Sequence, residues 1–361
     1  MKSDPVLKGI LVILIAAGFF ILASASIGLT AKRDLPPYYF VARQLLTGGL
    51  IGFIGLALTS RINYRRWRPL AFWIFLLSVA LTLLVFVPKI GLEFGGAKRW
   101  IGVGAFNFQP SEFLKFGYIL YLAALFSADR SEVKSWRGGF IPFVLVTGIV
   151  GGIFIFEPDI GSLGVTVLSG LLLFLIAGGG LRHLGVLIIL GAALLFILVQ
   201  LEPYRLERIS VFLDPSYDPQ DSGYHNKQAL IAIGSGGIFG RGFGMSRQKL
   251  QYLPEPVGDS IFAGAAEEFG FIGSLVLIGL FVVFAWRGFL VSSEARDSFG
   301  RLLGSGIVIL IVIQSLINIA ALTGLLPLTG IPLLFVSQGG SAFAVALSAI
   351  GILLNISKSR A

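Results

Sequence analysis

Apolar runs of about 17 to 26 residues, separated by polar connections, recur from end to end of the chain. A helix rises 1.5 Å per residue, so roughly 20 mostly apolar residues cross a hydrocarbon core of about 30 Å. The pattern predicts ten spans, at about 9–29, 40–60, 69–88, 109–127, 140–156, 160–178, 184–201, 261–286, 302–322 and 338–357. The expected fold class is an all-α integral membrane protein of about ten transmembrane helices, with a long outer-face loop between spans seven and eight. No soluble domain of useful size fits between the runs. Residues 1–361 are therefore expected to form a single polytopic membrane domain, its outer-face loop covering about 202–260.

The basic residues orient this layout. Cytoplasmic connections of membrane proteins carry an excess of Lys and Arg. With the N-terminus inside, 15 Lys or Arg fall on the inner side, against five in the short outer connections. Both termini are thus expected in the cytoplasm. The start of the chain has the cast of a secretory signal, Lys2 and Lys8 before an apolar run and "LASASIG". The length of the run and the many spans after it favour an uncleaved first helix. The same orientation places "GLEFGGAKRWIGVGAFNFQPSEFLK", "FEPDIGS", residues 202–260 and "TGLLPLTGIPLLFVSQGGS" on the outer face.

Composition agrees with a membrane chain: 55% hydrophobic, 13% charged, with a mean hydropathy of +0.88. The net charge of +9 reflects topology rather than nucleic-acid binding. Cysteine is absent, which removes thiolate catalysis, Cys-ligated metals and disulfides. The long outer connection mixes apolar residues, aromatics and turn signals, unlike a disordered segment. Within it "NKQALIAIGSGGIFG" is expected to form a short interfacial helix, and the following Gly run to line a cavity.

Several polar groups call for explanation. Lys115 comes five residues after Pro110, the expected first turn of the fourth span, and so lies about 7 to 10 Å inside the boundary. A charge there is costly; its candidate partners are Glu112 and Asp159, with snorkelling and a structural ion pair as alternatives. Asp259 precedes an apolar run and reads either as a helix N-cap or as a functional carboxylate. Glu267 and Glu268 point about 100° apart, so both cannot face one cavity well. Lys98, Arg99, Arg205, Arg208, Arg241, Arg247 and Lys249 share the outer face with them, as a solvated basic surface or as a site for a phosphate-bearing lipid. "GSGGIFGRGFG" lacks the strand-to-helix context of a dinucleotide site, no Walker-type loop occurs, and His183 and His225 lie on opposite sides. Neither a histidine metal pair nor a Ser-His-Asp hydrolase is expected.

With these residues in view the chain resembles the SEDS family, the multi-spanning peptidoglycan glycosyltransferases of the RodA and FtsW type. The resemblance rests on "GGAKRWIGVGAFNFQPSEFLK", "EPDIGS", "FLDPSYDPQDSGYHNKQALIAIGSGGIFGRGFG", "LPEPVGDSIFAGAAEEFGFIG" and "NIAALTGLLPLTGIPLLFVSQGGS", in that order. It implies an enzyme of the bacterial cytoplasmic membrane that polymerises lipid II into glycan strands on the outer face, during cell division or elongation, with release of polyprenyl diphosphate. It places the family's essential carboxylate on Asp259, as base for the attacking sugar hydroxyl. Arg99, Lys115 and loop cations such as Arg208, Arg241 and Lys249 become candidates for the diphosphate. Trp100 becomes a sugar or cavity-wall contact, Glu112 the acid of the "PSE" block, Asp159 a partner of Lys115, and Glu255 a gate or cation contact. No organic cofactor is implied; a divalent cation, Mg or Mn, is compatible with the leaving group. The implied partners are lipid II, a class B penicillin-binding protein with transpeptidase activity, divisome or elongasome components and membrane lipids, with no nucleic acid.

"FLDPSYDP" and "MSRQKLQYLPEP" favour the FtsW branch, while "GYHNKQ" has an echo of RodA. The chain departs from the family where "PEPVGDS" replaces "PE-x-H-T-D-F" and where Gln338 replaces a tyrosine. Two other readings are a lipid II flippase or transporter, and a non-catalytic scaffold of a cell-wall synthesis complex. The absence of a convincing internal repeat and the outer-end clustering of polar residues favour a surface reaction over passage.

Overall fold

The computed structural model describes residues 3–36, 38–94, 97–103, 106–129, 132–201, 210–214 and 223–359. Helical segments occupy all ten predicted stretches. They are α1 (Pro5–Lys32), a second segment made of α2 (Tyr39–Gln44), a π-helical turn and α3 (Leu50–Thr59), then α4 (Trp67–Leu83), α5 (Pro110–Ala128), α6 (Ile141–Phe156), α7 (Ile160–Ile176) and α8 (Leu181–Leu201). Beyond the long connection and its helices α9 (Tyr224–Ser235) and α10 (Gln248–Gln251) come α11 (Ile261–Ser293), α12 (Ser298–Leu322) and α13 (Gly340–Ile356). Among the described residues, seven segments are long and apolar enough to cross a membrane. Of the remaining three, α5 carries Glu112 and Lys115 and α7 has only 17 residues.

Burial follows the logic of a lipid solvent. The spans built on α12 and α13 are mostly enclosed, whereas residues 39–59 and 64–86 turn most of their side chains outward. Trp73, Leu77, Leu46 and Leu50 are exposed and apolar, as a lipid-facing surface requires. Contacts between helices use small residues, because lipid tails give Leu-on-Leu association no hydrophobic advantage. Ser78 of α4 sits against Gly117 of α5, and Ser292 of α11 against Gly304 of α12.

A small antiparallel sheet precedes α5. It consists of β1 (Gly91–Phe94), β2 (Ala97–Val103) and β3 (Phe106–Phe108) in the order β1-β2-β3, with Leu92 opposite Trp100 and Gly102 opposite Asn107. This element adds to the helical pattern and places Arg99 and Trp100 on the central strand. Gly95-Gly96 between two short apolar-polar runs is a hairpin signal that the search for long apolar stretches passes over.

The long connection forms its expected helix at α9, but its glycine run has a different destination from the one expected. α11 is broken at Gly270, whose φ of 68° and ψ of −165° leave the helical region. A break at this depth frees backbone groups that lipid cannot satisfy. The glycine run supplies their partners: Phe271 N donates to Gly237 O at 2.9 Å and Ile272 N to Ile238 O at 3.2 Å, while Arg241 N donates to Glu267 O at 3.0 Å. The run therefore seals the opening turns of α11 instead of lining the cavity described below. Glycine is needed at 270 twice over, for its positive φ and because a Cβ there would collide with the Gly240 backbone.

Candidate functional site

A cavity of about 260 Å³ lies where α5, β2, the α6–α7 turn, residues 253–260 and the segment before α13 meet. Six of the residues singled out from the sequence line it: Arg99, Trp100, Glu112, Asp159, Glu255 and Asp259. They come from four separate stretches of the chain.

Each is placed by local chemistry. Pro110 opens α5 as its first residue, where a missing N–H costs nothing, and so fixes Glu112 in the first turn. Asp159 caps α7, its carboxylate accepting from Ser162 N at 3.0 Å. Arg99 reaches the same turn: its Nε donates to Glu157 O at 3.1 Å and an Nη donates to Pro158 O. Glu157 itself is fully buried, and neither of its carboxylate oxygens has a hydrogen-bond partner. Burial, reinforced by the neighbouring Asp159 charge and opposed by Arg99, pushes its carboxyl up to about 8. Glu157 is therefore held protonated at neutral pH.

Lys115 lies behind the lining, one turn below Glu112. It is buried, and its Nζ donates to Glu112 Oε1 at 2.8 Å and to Gln314 Oε1 at 2.7 Å. Of its two candidate partners the structure thus pairs it with Glu112, while the Asp159 carboxylate is engaged at the start of α7. Burial and the direct ion pair exclude snorkelling.

The α11 start separates the two readings of Asp259. The helix begins at Ile261 and its N-cap is Ser260, so Asp259 stands outside the capping position. Even Ser260 does not cap through its side chain; its Oγ pairs with His225 Nε2 at 2.6 Å. Asp259 instead lines the cavity opposite Gly330, at which a Cβ would lie 3.7 Å from Asp259 Oδ2. Glu255 adopts a φ of 42°, a left-handed value rare for a residue with a side chain, as the turn doubles back toward Asp259.

Arg241 and Lys249 are gathered elsewhere. Lys249 is buried and donates to Ser24 O at 2.9 Å, to Ser24 Oγ at 2.9 Å and to the Glu268 carboxylate. Arg241 Nε lies 3.5 Å from Glu267, which also accepts from Ser246 Oγ at 2.5 Å and from the backbone N–H groups of Arg247 and Gln248, each at 3.1 Å. These contacts tie the glycine run and α10 to α1 and α11. The structure thus brings neither Arg241 nor Lys249 to the cavity. Arg208, also named from the sequence, lies outside the described residues.

Gln338, noted from the sequence as a departure from the family, also lines the cavity; sequence reasoning passed over Gln109, Ser162 and Ser341 in its wall, and Gln314 and Asn318 behind it. The last two carried a usable signal, since polar side chains inside an apolar span are expensive and point to a site. Among the described residues no group of three His, Asp or Glu side chains could hold a metal ion.

Comparison with known proteins supplies the family. A family model described as "Cell cycle protein", covering FtsW, RodA and SpoVE, matches residues 5–361. Stage V sporulation protein E of Bacillus subtilis is 39% identical over 360 residues, covering 99% of this chain and 97% of that protein. A probable peptidoglycan glycosyltransferase FtsW from Geobacter sp. (strain M18) is 40% identical, with 98% and 96% covered. Among solved structures, one described as the structural coordination of polymerization and crosslinking by a peptidoglycan synthase complex superposes with a TM-score of 0.80 at 27% identity, covering 100% of this chain and 99% of that one. RodA of Thermus thermophilus superposes with a TM-score of 0.73, also at 27% identity, over 100% and 98%. With the ten helical segments in place and a single family model running from residue 5 to the last residue, this chain belongs to the FtsW/RodA/SpoVE family and is FtsW-like.

Proposed function

We propose that the chain polymerises lipid II into glycan strands and that Asp259 is the base of the transfer. The observation that carries this reading is the position of Asp259: outside the helix cap, in the wall of a cavity shared with Arg99, Trp100, Glu112, Asp159 and Glu255. In the reaction, a sugar hydroxyl of one chain end attacks the anomeric carbon of the other. Its proton passes to the Asp259 carboxylate as the new C–O bond forms, and the bond from the anomeric carbon to the diphosphate oxygen breaks. The electron pair leaves with the polyprenyl diphosphate. Arg99 meets the charge developing there, its guanidinium held in place by the two carbonyls of the α6–α7 turn. Lys115 neutralises Glu112, so that a carboxylate lining the same cavity does not repel the diphosphate. Trp100 supplies a flat wall for a sugar ring.

The excess of Lys and Arg in the inner connections supports a cytoplasmic-membrane protein, one polytopic unit with both termini inside and the cavity toward the outer face. The FtsW-like sequence supports a role in division, and the solved synthase complex supports a crosslinking penicillin-binding protein as partner. Incubating the purified full chain, with its cognate transpeptidase, with labelled lipid II tests the reading. Polymer is the expected product. Transbilayer movement of lipid II without polymer would replace it with a flippase, and neither activity would leave a scaffold.

A further inference from the structure

The two residues before Asp259 offer no polar side chain to hold its turn in place. Gly258 has no side chain, and Val257 is buried and apolar. A glycine next to a reacting carboxylate would leave its backbone free to wander. The structure meets this through the carbonyls. Val257 O accepts from Gln338 N at 2.8 Å, Gly258 O from Ser337 Oγ at 2.6 Å, and Asp259 O from Asn318 Nδ2 at 2.8 Å. Three consecutive carbonyls are thus fixed by three donors from α12 and the segment before α13.

Asn318 does more than its neighbours. It is buried in α12, and the same Nδ2 also donates to Ile331 O at 2.8 Å. One amide group therefore joins the Asp259 turn to the Gly330–Pro332 segment that faces it across the cavity. One helical turn earlier on the same face, Gln314 accepts from Lys115 Nζ and donates from Nε2 to Pro332 O at 3.5 Å. Positions 314 and 318 of α12 connect both walls of the cavity to one rigid helix. Neither is among its lining residues, so neither is placed to touch substrate.

We infer that Asn318, assisted by Ser337, is a positioning residue for Asp259: it sets the carboxylate against the attacking hydroxyl by holding the backbone that bears it. The inference rests on the reading of Asp259 as the base. A base acts only from near-attack geometry, and a displacement of about 1 Å costs on the order of 100-fold in rate.

The test compares Asn318→Leu, Asn318→Asp, Ser337→Ala and Asp259→Asn in the full chain with its transpeptidase, measuring turnover at saturating lipid II, KM and melting temperature. Asn318→Leu removes both hydrogen bonds. A protonated Asp at 318 restores one. Turnover per folded molecule is expected to fall by roughly 100-fold in Asn318→Leu and by less in Asn318→Asp and Ser337→Ala, with KM within about twofold of wild type. Turnover per folded molecule within twofold of wild type overturns the inference, as does a loss that only tracks the unfolded fraction or appears entirely in KM. If Asn318→Leu fails to fold, the other two variants decide by the same criteria. Failure of the underlying reading looks different: Asp259→Asn would itself polymerise at the wild-type rate.

Discussion

Replacing Lys115 with methionine removes the cation from a buried pair. The chain of contacts sets the expected cost. Lys115 and Glu112 are both almost fully enclosed, their charged atoms are 2.8 Å apart, and Gln314 supplies the second acceptor. Removing one member of such a pair leaves the other charge buried and uncompensated, which costs about 3 to 5 kcal/mol. Glu112→Gln strands Lys115 in the same way and is expected to cost a similar amount. The double variant Lys115→Met/Glu112→Gln buries no charge and is expected to recover most of the loss, because a neutral replacement of a buried ion pair is often close to isoenergetic. Reversible unfolding of the four proteins in mixed micelles gives the coupling directly as a double-mutant cycle. Additive losses, or a Lys115→Met protein as stable as wild type, would refute the reasoning. Turnover provides a second readout. The double variant presents no carboxylate at 112 to repel the diphosphate, so it is expected to polymerise faster than Lys115→Met, in which Glu112 stands unneutralised in the cavity wall.

Glu157 predicts a pH effect. Its folded-state value of about 8 lies above the usual 4.5, so between these values the folded chain holds a proton that the unfolded chain has released. Stability therefore falls as pH rises through this window, by at most about 1.4 kcal/mol per pH unit from this group, and Glu157→Gln is expected to flatten that part of the profile. Gly270→Ala places a Cβ against the Gly240 backbone at a positive φ, so limited proteolysis is expected to cleave the long connection before α11 faster in this variant than in wild type. Glu268→Gln weakens the lock with Lys249 and Ser24 and is expected to lower the melting temperature while KM for lipid II stays near wild type, because that lock lies away from the cavity.

The helical layout was legible because a membrane span leaves a signal, about 20 apolar residues, that no tertiary contact needs to complete. The composition of the cavity was legible in part. Glu112, Asp159 and Asp259 stand beside helix starts marked by Pro110, Pro158 and Gly258, and charged residues at such places are few. Lys249 and Arg241 were not separable from the cavity cations, because charge and expected side of the membrane are the same for both groups. What distinguishes them is the packing of the loop and α1 against the opening turns of α11, where Glu267 engages Arg241 and Ser246 and Glu268 engages Lys249 and Ser24. The Val257-Gly258 departure was equally opaque. The sequence shows two lost polar side chains, whereas the turn is held through its carbonyls by residues 59 to 81 positions away, contacts that exist only once α12 and the segment before α13 are folded beside it.

The central claim is that Asp259 takes the proton from the attacking hydroxyl. Its most direct test is the Asp259→Asn protein, complexed with its transpeptidase, assayed for both lipid II binding and lipid II polymerisation. The amide keeps the size of the side chain and cannot act as the base. Binding within a few-fold of wild type, together with a turnover loss of at least about 100-fold, is the result expected. Glycan strands made by the variant at close to the wild-type rate would contradict it.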